Sequence, residues 1–246
     1  MKGFPSSVPR FFAPVQLSLD AEIDLPERVA RHCGVLRLRR GDAITLFNGE
    51  GGEFSAELTR VSPGDARAHV ISRQTPERES PLVIALAQCV PSGDRMDATL
   101  QKSTELGVSR IVPIASERSI VRLSSDRADR RVAHWRNVVI AACEQCGRNR
   151  VPEIGAIIGF DGFLGQAATD ELRLLLAPDA DRDLKQLEPP RKVTLLVGPE
   201  GGFAPEERQR AETRGFIPVR FGPRVLRTET APLAAIAAMQ VLWGDC

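Results

Sequence analysis

From residue 82 to the C-terminus, short apolar runs alternate with stretches of helical length, and that alternation leaves few folds open. Runs at 82–89, 110–114, 172–176, 193–197 and 218–221 read as strands, and 95–106, 126–144, 159–166, 205–214 and 232–243 read as helices. Strand and helix in alternation build a mostly parallel α/β sheet with helices on both faces. Ligands of such sheets bind in crevices at the carboxyl ends of the strands. Residues that follow the strands are therefore the first place to look for chemistry.

Two of those places carry glycine. Leu195-Leu196-Val197-Gly198-Pro199-Glu200-Gly201-Gly202-Phe203 follows one apolar run, and Phe221-Gly222-Pro223-Arg224-Val225-Leu226-Arg227-Thr228-Glu229-Thr230-Ala231 follows the next. Glycine at a strand end can serve positive φ and close packing alone. Two such turns at one sheet edge imply a shared site, with close backbone approach expected at Gly201. The G-x-x-G-G spacing is not a dinucleotide fingerprint, and no Gly-Lys-Ser/Thr completes a phosphate-binding loop. Adenosine held by backbone N–H and C=O groups, without a phosphate, fits these turns better.

Before the alternation begins, residues 1–74 have a different texture. Arg10-Phe11-Phe12 opens a strand, and 42–47 and 53–58 alternate on either side of Asn48-Gly49 and Gly51-Gly52, the pattern of a hairpin. Residues 66–72 supply a further strand, and only 26–36 reads as helix, with Val29, Ala30, Cys33 and Leu36 along one face. This is the pattern of a small β-barrel. Residues 75–81, polar and flanked by proline, read as a linker to a second domain at 82–246.

The Arg227–Ala231 stretch together with Gln101-Lys102-Ser103-Thr104-Glu105-Leu106-Gly107-Val108, Ser116-Glu117-Arg118 and Ala142-Cys143-Glu144-Gln145-Cys146-Gly147-Arg148 resembles the ribosomal RNA small subunit methyltransferase E family, within the SPOUT methyltransferases. The resemblance covers nearly the whole chain. It implies a PUA-like RNA-binding β-barrel at 1–74, a SPOUT-type parallel sheet with a C-terminal trefoil knot at 82–246, and a homodimer. It implies methyl transfer from S-adenosylmethionine to N3 of a uridine in 16S rRNA, within the assembled small ribosomal subunit. On that reading the cofactor lies against Val197, Gly198, Pro199, Glu200, Gly201, Gly202, Phe221, Gly222, Val225, Leu226 and Thr228. A ribose 2′-O-methyltransferase on the same fold and a non-catalytic ribosome-assembly factor are the alternatives.

A uridine N3 must lose its proton to attack a methyl group, which calls for a base and for stabilisation of charge on the flanking carbonyls. Glu229 and Arg227 can fill those roles. Glu229 can equally favour the positive end of the helix that follows, and Arg227 can pair with Glu229. Glu200 can balance a sulfonium charge or cap the N–H groups of Gly202 and Phe203. Arg10, Arg118, Arg148 and Arg150 are the candidate RNA contacts; arginine at a helix end such as 148–150 is also favourable for dipole reasons alone. Lys102 and Glu105 read as an i, i+3 pair. Ala204 stands where the family often has a capping Ser or Thr, and Pro232 where it has Thr or Ala.

Composition sets outer limits. Net charge is only +1, but residues 81–151 carry an excess of basic over acidic side chains, and 29 of 33 basic residues are arginine. A local basic face on a neutral chain suits a structured RNA. Five cysteines, an odd number, speak against a secreted disulfide framework. With three histidines and a single Cys-x-x-Cys (Cys143 and Cys146) no metal is expected, and those two cysteines read as one buried and one lining a pocket. No run is apolar and long enough for a membrane span, and residues 1–5 lack a signal-peptide core, so a cytoplasmic protein is expected. The last helix is rich in alanine (231, 234, 235, 237 and 238), which suits tight packing or a subunit interface.

Overall fold

The computed structural model describes residues 8–119, 125–166 and 170–246; the opening residues 1–5 lie outside them. The chain divides into two compact units, Met1–Glu79 with Cys143–Val151, and Ser80–Ala142 with Pro152–Cys246.

The first unit holds β1 (Arg10–Phe12), β2 (Glu22–Asp24), α1 (Glu27–Val35), β3 (Ala43–Phe47), β4 (Glu53–Ser62) and β5 (Asp65–Gln74). They form one sheet in the order β1-β3-β4-β5-β2. β1 runs parallel to β3 and the other pairs are antiparallel. The expected hairpin is β3–β4, its connection turned by Gly49, Gly51 and Gly52, all at positive φ. Phe54, Ala56 and Leu58 point inward from β4 onto Val29, Ala30 and Cys33 of α1. Leu36, expected on that helix face, lies past its end and is 45% exposed.

Segment 143–151 belongs to this unit because its polar groups find partners there. Glu144 accepts from the Phe12 N–H at 2.9 Å and from Arg28 Nη2 at 2.6 Å. Arg10 donates to Asn149 Oδ1 at 2.7 Å, to the Gly147 carbonyl at 3.2 Å and to Glu53 at 2.5 Å. Burial opposes ionisation of Glu53, but Arg78 and Arg10 outweigh it and hold that carboxyl below its usual range. Cys143 is buried and its thiol is pushed up to about 12 by desolvation, while Cys146 is half-buried. The Cys143 thiol is not poised as a thiolate. Among the described residues no His, Cys, Asp and Glu cluster could hold a metal.

The second unit contains β6 (Val83–Cys89), α2 (Arg95–Glu105), β7 (Arg110–Ala115), most of α3 (Ser125–Cys146), β8 (Glu153–Ile154), β9 (Ile158–Gly159), α4 (Phe160–Gly165), β10 (Leu172–Leu176), β11 (Lys192–Val197), α5 (Pro205–Thr213), β12 (Ile217–Val219) and α6 (Ala231–Trp243). The sheet order is β12-β10-β11-β6-β7-β8, with β9 also on β7, and every pair is parallel. Leu86, Leu174, Leu195 and Leu196 have no exposed surface, as strands covered on both faces require. β12 ends at Val219, so Arg220 and Phe221, expected within the strand, belong to the loop beyond it. Among the described residues no helix is long and apolar enough to cross a membrane.

Candidate active site

In the sheet order, β12, β10, β11 and β6 are consecutive neighbours, so their carboxyl ends share one edge. A cavity of about 640 Å³ opens there. Val197 at the end of β11 and Gly198, Pro199, Glu200 and Gly202 from the loop after it line it, with Phe221, Gly222, Val225, Leu226, Arg227, Thr228 and Glu229 from the loop after β12. Gly201 alone among the expected cofactor residues is absent from the wall. The Arg118 side chain lies against it and donates from Nη1 to the Gly201 carbonyl at 2.8 Å.

The close approach expected at Gly201 is found at Gly198. A Cβ added at Gly201 would make only ordinary contact with Arg118, at 3.5 Å. At Gly198 it would stand 3.2 Å from the Phe203 ring and 3.3 Å from the Gly202 Cα. Gly202 closes the turn by donating to the Pro199 carbonyl at 2.9 Å, with φ +66°. Hydrogen bonds then fix the two loops to each other. The Thr228 hydroxyl donates to the Gly198 carbonyl at 2.8 Å, and fully buried Gln88, at the end of β6, donates to Thr228 at 3.4 Å and to the Cys89 carbonyl at 2.9 Å.

Sequence reasoning missed the wall contributed by the end of β10 and the residues just after it, from Leu175 to Asp179, and the arginine that enters from α2. Arg95 Nη1 lies 2.5 Å from Glu200 Oε1 and 2.6 Å from Ser92 Oγ, and its Nε lies 3.7 Å from Glu229 Oε2. Glu200 also accepts from the Ser92 N–H at 3.0 Å. It thus caps Ser92, and not Gly202 and Phe203, the structural alternative to balancing a sulfonium charge. Partial burial works against the charge on Glu200, but the Ser92 hydrogen bonds and the Arg95 charge hold its carboxyl below the usual range. Glu229 meets Arg95 and not Arg227; among the described residues Arg227 forms no ion pair. Its carbonyl instead receives the N–H groups of Thr230 and Ala231 at 2.9 Å, which starts α6. The signal for Arg95 was available: the first turn of a helix that follows a central strand lies at the ligand edge of the sheet.

Departures from the family pattern are absorbed locally. Ala204 has no capping side chain, but its N–H donates to Glu207 Oε2 at 3.1 Å, half of a capping box. The other Glu207 oxygen accepts the Glu117 N–H at 2.9 Å. This carboxylate, 2% exposed, therefore ties the loop after β7 to the start of α5. Pro232 sits in the first turn of α6, where a helical N–H has no intrahelical partner to lose. Lys102 and Glu105 form the expected pair, at 2.9 Å.

The four candidate RNA contacts separate into two kinds. Arg118 and Arg150 are exposed, Arg150 beside Glu77 at 3.3 Å. Arg148 is 4% exposed and bound to Glu79, and Arg10 is consumed by Glu53, Asn149 and Gly147. A phosphate would have to displace a carboxylate from either, so we assign both to the architecture of the first unit.

A parallel sheet with a loop-walled cavity at its carboxyl edge, in a chain that also carries a separate β-rich unit, defines an RNA methyltransferase here: the RNA methyltransferase domain family matches residues 78–240, and the RNA methyltransferase PUA domain matches 25–71. The chain is 34% identical over 242 residues to the ribosomal RNA small subunit methyltransferase E of Buchnera aphidicola subsp. Schizaphis graminum, across 97% of this chain and 98% of the relative. The chain belongs to the ribosomal RNA small subunit methyltransferase E family. Its fold is of the SPOUT type with a PUA-like unit ahead of it. Among solved structures it is similar to the family member of Neisseria gonorrhoeae bound to S-adenosyl methionine, with 47% identity and TM-score 0.92 over 97% of this chain and 99% of that one. It is also similar to a methyltransferase of Legionella pneumophila in complex with SAM, with 38% identity and TM-score 0.95 over 98% and 100%.

Proposed function

We propose that this chain methylates N3 of a uridine in 16S ribosomal RNA with S-adenosylmethionine as donor. The cavity carries the reading. It lies within the size range of small-molecule sites, about 300–1,000 Å³. Leu175, Leu176, Val197 and Leu226 give it an apolar wall, the two loops offer backbone groups, among the described residues no lysine lines it, and of its arginines Arg95 and Arg208 are held by carboxylates. Those features fit an adenosine without phosphates. When bound, S-adenosylmethionine supplies a methyl group on a sulfonium, whose C–S electron pair leaves with sulfur. The chain's part is to ready the nucleophile. Glu229 takes the N3 proton as the N3 lone pair forms its bond to carbon, Arg227 faces the carbonyl oxygen that gains charge, and Arg95 orients Glu229.

RNA recognition is assigned to the unit built on residues 1–74, methyl transfer to 82–246, and Arg118 and Arg150 to direct RNA contact. The substrate is the RNA within the assembled small subunit, and the enzyme works in the cytoplasm. A homodimer forms through α6. Its Ala234, Ala237 and Ala238 are half-buried, and Val241 and Leu242 are 66% and 43% exposed, an apolar face on an apolar helix. Incubation of purified protein with labelled S-adenosylmethionine and small subunits, followed by nucleoside analysis, tests the assignment. The product is expected to be 3-methyluridine. A 2′-O-methylated nucleoside would select the ribose alternative, and no incorporation the assembly factor.

Placement of the donor has its own test. Gly198→Val forces side-chain atoms onto Phe203 and the Gly202 backbone, so the loop after β11 must open. Affinity for S-adenosylmethionine is expected to fall by at least about tenfold in a protein that still melts cooperatively. Unchanged calorimetric affinity would move the donor out of these loops.

A further inference from the structure

We infer that one face of α3 is a phosphate-binding ridge for the substrate RNA, formed by Arg127, Arg130 and Arg131. The inference rests on the functional reading above and deepens it by locating a second RNA surface, outside the cavity. It begins from the basic excess of residues 81–151. Most of that charge already has a partner within the protein: Arg95 has Glu200, Lys102 has Glu105, Arg110 has Glu153 and Arg148 has Glu79, while the exposed Arg118 and Arg150, assigned above to RNA contact, have the Gly201 carbonyl and Glu77. Among the described residues of this stretch, the arginines with no hydrogen bond or ion pair are Arg127, Arg130, Arg131 and Arg136, all exposed and all on α3.

Helix geometry sorts these four. Val132, Trp135 and Val139, 6%, 4% and 0% exposed, fix which side of α3 faces the sheet. Positions 127, 130 and 131 stand at i, i+3 and i+4 and share one outward face, whereas 136 lies about half a turn away. His134 continues the same face one turn later, and its Nε2 lies 2.6 Å from Asp97 Oδ2 of α2. Asp97 is two residues from Arg95, which lines the cavity. The ridge therefore runs beside the helix turn that reaches the methyl-transfer site. Asp126 is its one neighbouring carboxylate in the first turn, and Asp129 lies on the side of Arg136.

Three unpartnered guanidinium groups on one face suit a run of phosphates, which each can grip with two N–H bonds. Backbone contacts of this kind set position and affinity without reading sequence. The occupant is thus the RNA backbone flanking the target base, lying along α3 while the base enters the cavity.

The test replaces Arg127, Arg130 and Arg131 together by alanine in the full chain, with Arg136→Ala as the control from the other side of the helix. Binding to a 16S ribosomal RNA transcript is measured across salt concentration, alongside cofactor affinity, thermal melting and methyl transfer to small subunits. Each lost phosphate contact lowers the salt slope by roughly 0.7 for a single strand. The triple variant is expected to lose about two units of slope and at least about tenfold in RNA affinity, with cofactor affinity and melting unchanged. Arg136→Ala is expected to change none of these. Replacement of the same three residues by lysine should restore most of the slope. An unchanged slope in the triple variant would overturn the ridge, as would an equal loss from Arg136→Ala, or weaker binding to intact subunits with unaltered RNA binding, which would point to a protein partner. Absence of methyl transfer by the unaltered protein would instead strike at the functional reading itself.

Discussion

Glu229→Gln is expected to slow methyl transfer by roughly 10²-fold or more while leaving cofactor and RNA affinity near their original values. Glutamine keeps the shape of the side chain and removes its capacity to take a proton. The N3 proton then has to leave without help, so the reaction depends on the small fraction of uridine already present as the anion. That fraction rises with pH, and the variant's single-turnover rate should climb with pH more steeply than that of the unaltered enzyme. Arg227→Ala should also lose rate but gain less at high pH, because charge on the uracil carbonyl is still unsupported. Arg95 supplies an internal check. Its Nε is 3.7 Å from Glu229 Oε2, while Nη1 is committed to Glu200 and Ser92. If Glu229 served only the start of α6, Glu229→Gln would shift stability by a few tenths to about 1 kcal/mol and leave the rate untouched. A normal rate and pH profile in the variant would therefore return Glu229 to that role.

What could be read from the sequence follows from which forces act locally. The sheet of the second unit was legible because its central strands, such as Val83–Cys89 and Lys192–Val197, are apolar runs long enough to stand out. β8 and β9, of two residues each, leave no such trace. Both glycine loops were found at the cavity because a strand end followed by glycine already says where a ligand approaches. The particular glycine was not, since Gly198 and Gly201 differ only in whether Phe203 or Arg118 folds against them. Asp179 and Arg95 share the site through sheet order, which places β10 and β6 on either side of β11, and sheet order is not written in periodicity. Threading is still further from local pattern, and the trefoil knot came into the expectations through family resemblance alone. The charge pairs were hidden for the same reason. Nothing in the spacing of Arg148 and Glu79, 69 residues apart, announces that they meet.

Arg148→Ala is expected to lower stability by about 3 kcal/mol, the lower end of the range for breaking a buried ion pair, because Glu79 retains some contact with water. Arg148 is 5% and Glu79 19% exposed at the side chain, and the two are joined through Nε and Nη2 of the guanidinium. Removing the arginine leaves a largely desolvated carboxylate without its partner and frees the 143–151 segment from the first unit. Urea unfolding should show the loss directly. Replacing both residues by methionine should recover much of it, since an apolar pair avoids the desolvation cost that the single variant exposes. The outcome separates two meanings of the same arginine. Had Arg148 served as an RNA contact, its removal would leave unfolding unchanged, lower RNA affinity and reduce the salt slope by roughly 0.7. The geometry favours the first result: a guanidinium held on a carboxylate inside the protein has no face left for phosphate, and its work is to keep the returning chain in place.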